Sequence, residues 1–77
     1  MEKEFLKQTL DNWQRRFEGI CLKYVHDIGT DYHLIEVAPE SIRRGNKEYM
    51  EAELALWLEF MERFPNSDLL IIGTKLD

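Results

Sequence analysis

The longest apolar periodic segment of the chain is NKEYMEAELALWLEFMERF, residues 46–64. Ala, Leu, Glu and Met dominate its interior, and all four residue types are strong helix formers. Asn46 is a good N-cap because its side-chain oxygen can accept a hydrogen bond from a backbone N–H of the first turn. Pro65 ends the segment because the residue before a proline is pushed out of the helical region. The sequence therefore predicts a central helix over residues 46–64.

The central helix is apolar over a wide part of its circumference. At about 100° per residue, two apolar stripes lie side by side and together span roughly 200°. One stripe consists of Met50, Leu54, Trp57, Met61 and Phe64, bordered by Leu58, and the other consists of Tyr49, Leu56 and Phe60. A sheet should cover one side of this arc, and the first helix or a second copy of the protein should cover the other. We expect Trp57, like Trp13, to pack in the core.

The opposite face of the central helix is acidic and carries Glu48, Glu51, Glu59 and Glu62. A solvated surface accounts for such a stripe, and a contact surface for a basic partner is the functional alternative. Glu53 differs because it falls within the apolar arc, where a carboxylate rarely enters unpaired. We expect it to form an ion pair with Arg15, Arg16 or Lys23, or to reach water at an edge. The alternative is a ligand-binding or acid–base carboxyl whose pKa is raised by a pocket.

The other segments give the element order α-β-β-α-β. Residues 2–18 predict a first helix, because apolar side chains recur on one face at Leu6, Leu10, Trp13 and Phe17. Residues 20–27 and 32–38 predict the two strands of a hairpin, and residues 69–76 predict a third strand. Residues 39–45 predict a loop with room for one helical turn at Glu40 to Arg43.

This order predicts an α+β fold in one domain, residues 1–77. Because the crossover from the second to the third strand contains a helix, these two strands should be parallel. The sheet is then three-stranded and mixed, with two helices packed on one face. The third strand could lie beside the second strand or beside the first. The order resembles a ferredoxin-like βαββαβ pattern that lacks its first strand.

The second face of the predicted sheet has no helix to cover it. Alternation along the strands places Cys21, Val25, Tyr32 and Leu34 on this face. Contiguous exposed apolar patches usually mark an interface, and sheet edges are open to pairing. We therefore expect the chain to bury surface, including Val25 and Leu34, in a homodimer or against another protein.

Two histidines flank the predicted hairpin turn. His26 and His33 should both face the helices, and they can face each other if the register allows; Gly29 should supply the positive φ of the turn. Together with Asp27 and Asp31 they are candidates for a metal site. Because a structural zinc site normally needs four ligands and no CxxC or HExxH pattern occurs, we predict neither a metal nor another cofactor.

Arg43 and Arg44 precede the central helix and are candidates for binding a phosphate or carboxylate. The glycine pattern of a phosphate loop is missing here, so a charged surface loop is the simpler interpretation.

Composition limits the classes of function. A net charge of -5 disfavours nucleic-acid binding, which depends on neutralising phosphates. The N-terminal residues lack a signal-peptide core, and the apolar run at residues 69–72 is too short for a membrane span. A single cysteine, Cys21, excludes an intrachain disulfide and fits a reducing cytoplasm.

The sequence thus predicts a small acidic protein–protein interaction module, homodimeric and cytoplasmic, without enzymatic activity of its own. Its partner is a second copy or another protein, and one specific version is an inhibitor or immunity-type protein that masks a basic site. The alternative is a small enzyme or a ligand- or metal-binding domain that uses Glu53 or the His26/His33 hairpin.

Overall fold

A computed structural model of the protein describes residues 1–73 of the chain. Its elements are α1 (Glu2–Arg16), β1 (Cys21–Asp27), β2 (Tyr32–Ala38), α2 (Glu40–Gly45), α3 (Lys47–Arg63) and β3 (Asp68–Gly73). The predicted α+β order is confirmed, and α2 is the helical turn expected in the loop after β2. Residues 74–76 of the predicted third strand lie outside the described residues. No helix of the described range is long and apolar enough to cross a membrane.

The three strands form one mixed sheet in the order β1-β2-β3. β1 and β2 pair in antiparallel fashion, with His26 opposite His33, while β2 and β3 pair in parallel, with Ile35 opposite Ile71. β3 therefore lies beside β2, which decides between the two positions that the sequence allowed. β1 and β3 are left as the two edge strands.

The core lies between one face of the sheet and the two long helices. It contains Leu6, Leu10 and Trp13 from α1, Tyr49, Leu56 and Phe60 from α3, and Ile35 and Val37 from β2. Tyr49 is fully buried at the centre, where its ring meets Trp13 edge-on at 5.2 Å and Phe17 edge-on at 5.5 Å between centroids. The predicted alternation of β1 and β2 is confirmed, because His33, Ile35 and Val37 are all buried on this side.

The helix ends follow from local hydrogen bonding. The Tyr49 backbone N–H donates to Oδ1 of Asn46 at 3.1 Å, so the predicted N-cap of α3 is confirmed. α1 ends at Arg16, two residues earlier than predicted, because Phe17 is extended and turns its ring into the core. Gly19 follows with a φ of +84°, a conformation that glycine adopts at no steric cost.

The hairpin turn differs from the prediction. Asp31, with a φ of 60°, takes the left-handed conformation that we had expected of Gly29. Aspartate tolerates this region better than most residues, because its short polar side chain can bond locally. Gly29 instead donates its N–H to Oδ1 of Asp27 at 2.9 Å.

The prediction that Trp57 packs in the core is wrong. Its side chain is 42% exposed, and its neighbours Met50 and Leu54 are 49% and 58% exposed. The second stripe, Tyr49, Leu56 and Phe60, supplies the fully buried part of the contact of α3 with the rest of the core, and Met61 and Phe64 at the end of the first stripe are partly buried against it. Within residues 1–73, no element covers most of the first stripe.

The second face of the sheet is open, as predicted. Val25, Tyr32 and Leu70 are exposed there, and Leu34 is half-buried. An ion pair crosses this face, with Nζ of Lys23 at 3.8 Å from Oε2 of Glu36.

We expect Leu6→Ala to lower the free energy of unfolding by about 2–5 kcal/mol, because it leaves a cavity at a position with no exposed surface. Leu58→Ala is the matched control: Leu58 is also helical but is 54% exposed, so the change should stay within about 0.5 kcal/mol. Urea denaturation followed by circular dichroism measures both. Equal losses in the two variants would contradict this description of the core.

Candidate functional site

The candidate residues from the sequence fall into three separate places. His26 and His33 lie on the hairpin, Glu53 of α3 lies beside Arg43 of α2, and the four glutamates of the acidic stripe lie on the exposed surface of α3. Each place has its own chemistry.

The two histidines are brought together by the register of the hairpin. They are directly opposite each other on β1 and β2, and their rings stack with centroids 4.3 Å apart and planes 3° from parallel. His33 is buried against the edge of the Phe60 ring, whereas the His26 side chain is 23% exposed. The prediction that they face each other on the helix side is therefore confirmed.

Each histidine has a polar partner. Nδ1 of His33 lies 2.6 Å from the Tyr24 hydroxyl, and Nε2 of His26 lies 2.8 Å from Oδ1 of Asp31. One ligand atom from each of His26, Asp31 and His33 lies within 4.8 Å of the other two. The sequence placed Asp31 in the turn but did not pair it with His26. The backbone conformation of Asp31 was the missing information.

Burial changes the protonation of the inner residues of this group. It is the main reason that the pKa of His33 is lowered, and the neighbouring His26 lowers that pKa further. His33 is therefore a neutral imidazole at pH 7, able to act as a ligand through a lone pair. Burial also raises the pKa of the Tyr24 phenol, which keeps this hydroxyl protonated.

Glu53 does not have the partners that the sequence suggested. Its carboxylate accepts a hydrogen bond of 2.9 Å from the Tyr49 hydroxyl, and its Oε1 lies 3.9 Å from Nε of Arg43. Its ion-pair partner is Arg43 of α2, which packs directly against α3, and not Arg15, Arg16 or Lys23. Glu53 thus holds a buried phenol in place, which is a structural role.

Arg43 and Arg44 diverge. The Arg43 side chain points inward and donates from Nη2 to the Ile71 carbonyl at 3.5 Å, whereas Arg44 points outward and pairs with Glu40 at 3.3 Å. Successive residues of a helix point about 100° apart, so two adjacent arginines cannot converge on one anion here. Within residues 1–73, Arg43 and Arg44 therefore do not form a shared anion-binding site.

The exposed part of the first stripe forms a surface next to β3, which we call the α3 flank: Met50, Leu54 and Trp57. A groove of about 250 Å³ separates the flank from β3 and is also lined by Leu70. Leu70 in turn lines a depression of about 580 Å³ on the open sheet face, together with Val25, Tyr32 and Leu34. The two apolar surfaces are therefore continuous.

Comparisons of the chain with protein-family models, with curated proteins and with solved structures each gave no match. The geometry of the described residues is therefore the basis for the function proposed below.

Tyr49 should make folding stability fall in alkali. Burial, reinforced by the hydrogen bond to Glu53, raises the pKa of Tyr49 in the folded state well above its ordinary value of about 10. A group whose pKa is raised in the folded state contributes stability that is fully present below its pKa in the unfolded chain. That contribution is lost as the pH rises above the unfolded-state pKa. Stability should then decline above pH 10 by up to about 1.4 kcal/mol per pH unit from this group.

Urea denaturation of Tyr49→Phe between pH 9 and 11 tests this assignment. The variant should be less stable at neutral pH by about 1 kcal/mol, because the carboxylate of Glu53 loses its donor. It should also show a shallower alkaline decline than the wild type. Tyr32→Phe is the control, since Tyr32 is 46% exposed and should leave the decline unchanged. Parallel curves for Tyr49→Phe and wild type would contradict the assignment.

Proposed function

We propose that this protein is a protein–protein interaction module that works as a homodimer, with the α3 flank and the edge strand β3 as the interface. The observation that carries the proposal is the exposure of three large apolar side chains beside an edge strand that has no partner on its outer side within residues 1–73.

The α3 flank supplies the apolar area. Met50, Leu54 and Trp57 expose between 42% and 58% of their surface, and they lie together along a single groove with Leu70. Burying apolar surface contributes roughly 25 cal/mol per Å², so a contact that covers these side chains is favourable. Trp57 is also the residue type most enriched at the centres of interfaces.

β3 supplies a backbone that is open to pairing. Its central residues, 69–72, are Leu, Leu, Ile and Ile, with no charge and no proline among them. Natural edge strands are usually protected from further pairing by charged residues, by prolines or by a covering element. β3 has a charge only at its first residue, Asp68, within the described range, whereas the other edge strand, β1, carries Lys23 in its interior as well as Asp27 at its end. The two edges therefore differ, and β3 is the one suited to an additional strand.

A second copy of the chain fits this surface better than a basic partner does. Two β3 strands can pair in antiparallel fashion about a two-fold axis, which makes the contact self-complementary and closed. The same axis places the α3 flank of one copy near that of the other. The acidic stripe lies on another side of α3, so dimerisation does not force these glutamates against each other.

The test is the mass in solution, measured by light scattering after size exclusion over a range of concentrations. The wild type should be a dimer, and Leu54→Lys should be a folded monomer, because it places a charge in the interface but alters a side chain that is 58% exposed. Ile28→Lys is the control: Ile28 is 89% exposed on the hairpin turn, so the dimer should persist.

Trp57 gives a second readout of the same equilibrium. Its fluorescence should shift to shorter wavelength as the wild type dimerises, and Leu54→Lys should remove that concentration dependence. A wild type that stays monomeric at every concentration would overturn the homodimer, and so would a dimer that Leu54→Lys leaves intact.

In the inhibitor-type version of this function, the acidic stripe is the surface that binds a basic partner protein. It is supported by the exposure of Glu48, Glu51, Glu59 and Glu62 along one side of α3, although Glu59 also pairs with Arg63 at 3.0 Å. Contacts between exposed charges are screened by salt, so binding of such a partner should weaken steeply as ionic strength rises. The cytoplasm remains the compartment in which we expect this module to act.

A further inference from the structure

We propose that the hairpin of this protein binds a divalent first-row transition-metal ion, such as Zn²⁺, through His26, Asp31 and His33. This site lies on the hairpin and does not depend on the interface proposed above.

The three side chains offer a suitable set of donors. Imidazole nitrogen and carboxylate oxygen are ordinary ligands of Zn²⁺, and imidazole also suits the neighbouring transition metals. Open zinc sites have three protein ligands, and two histidines with one carboxylate are one of the sets that they use. Water or another molecule takes the fourth position. The four-ligand rule, which argued against zinc on the basis of sequence alone, applies to closed structural sites.

The distances are close to those that a metal requires. Zinc bonds of about 2.1 Å in tetrahedral geometry place neighbouring ligand atoms about 3.4 Å apart. His26 Nε2 and Asp31 Oδ1 are now 2.8 Å apart, so they must separate slightly as the ion replaces their hydrogen bond. All three ligand atoms lie within 4.8 Å of one another, so a small rearrangement of the outer carboxylate of Asp31 helps to bring the set onto one ion. The Asp31 side chain is 69% exposed and is free to make that adjustment.

The surroundings hold the inner ligand in place. Tyr24 contacts Nδ1 of His33 at 2.6 Å, which leaves Nε2 as the nitrogen available to an ion. Metal-binding histidines usually have such a partner on the other ring nitrogen, and it fixes both tautomer and ring orientation. The pairing of His26 with His33 keeps the two histidines at the same level of the sheet. Because their ring planes are only 3° from parallel, the outer His26 ring must tilt on binding so that the in-plane lone pairs of both rings meet at one ion.

The test is titration of the intact protein with Zn²⁺ by isothermal calorimetry, alongside NMR of the histidine side chains. We expect one ion per chain and shifts of the ring nitrogens of both His26 and His33. His26→Gln and Asp31→Asn should each weaken binding by roughly tenfold or more, because each removes a ligand. Tyr24→Phe should weaken it by about tenfold or more while one ion still binds, which is the usual effect of losing an outer partner.

Asp27→Asn is the matched control. Asp27 lies in the same hairpin and loses the same unit of charge, but its carboxylate bonds the Gly29 N–H, an acceptor role that an asparagine oxygen retains. Its affinity for Zn²⁺ should equal that of the wild type. If His26→Gln disturbs the circular dichroism spectrum, Asp31→Asn decides the question, because that side chain is largely exposed.

Three results would overturn the proposal. The first is a wild type that binds no Zn²⁺ at millimolar concentration. The second is binding that His26→Gln and Asp31→Asn leave unchanged, since the ion would then sit on other surface carboxylates. The third is an equal loss in Asp27→Asn, which would mean that the hairpin attracts the ion through net charge alone.

Discussion

The packing of Tyr49 is the constraint on which the rest of this small fold depends. The ring is fully buried where α1, α3 and the segment after α1 meet, in edge-on contact with Trp13 and Phe17. Its hydroxyl cannot be left unbonded at that depth, and Glu53 supplies the acceptor one turn along the same helix. Arg43 then lies beside this carboxylate and also reaches β3. A single buried phenol thus links both long helices to α2 and the third strand.

Much of this architecture could be predicted because periodicity reports directly on secondary structure. The spacing of apolar residues in α1 and α3, the alternation in the hairpin, and the prolines that follow the hairpin and α3 were sufficient for the element order and for the side of the sheet that the helices cover. The position of β3 could not be predicted, since both placements bury the same aliphatic residues. The exposure of Trp57 could not be predicted either, because periodicity identifies an apolar stripe without showing whether anything covers it.

The candidate site was less predictable, for reasons of geometry. Alternation placed His26 and His33 on the right face, but only the register makes them partners. Asp31 joins them through a left-handed backbone conformation that the sequence pattern assigned to glycine. Glu53 was recognised as unusual from its place in the apolar arc, yet its partner Arg43 comes from a segment that was predicted as loop. Such tertiary pairings depend on angles between elements, which local patterns do not contain.

The pairing of β2 with β3 has a consequence for how the molecule assembles. Hairpin contacts between β1 and β2 join residues that are near in sequence, and such contacts form within microseconds. β3 reaches β2 only after the intervening segment of α2 and α3 has been folded back, which carries a larger loop-closure entropy and is intrinsically slower. The paired histidines therefore belong to the part of the chain that can organise first. The apolar edge belongs to the part whose pairing we expect to form later.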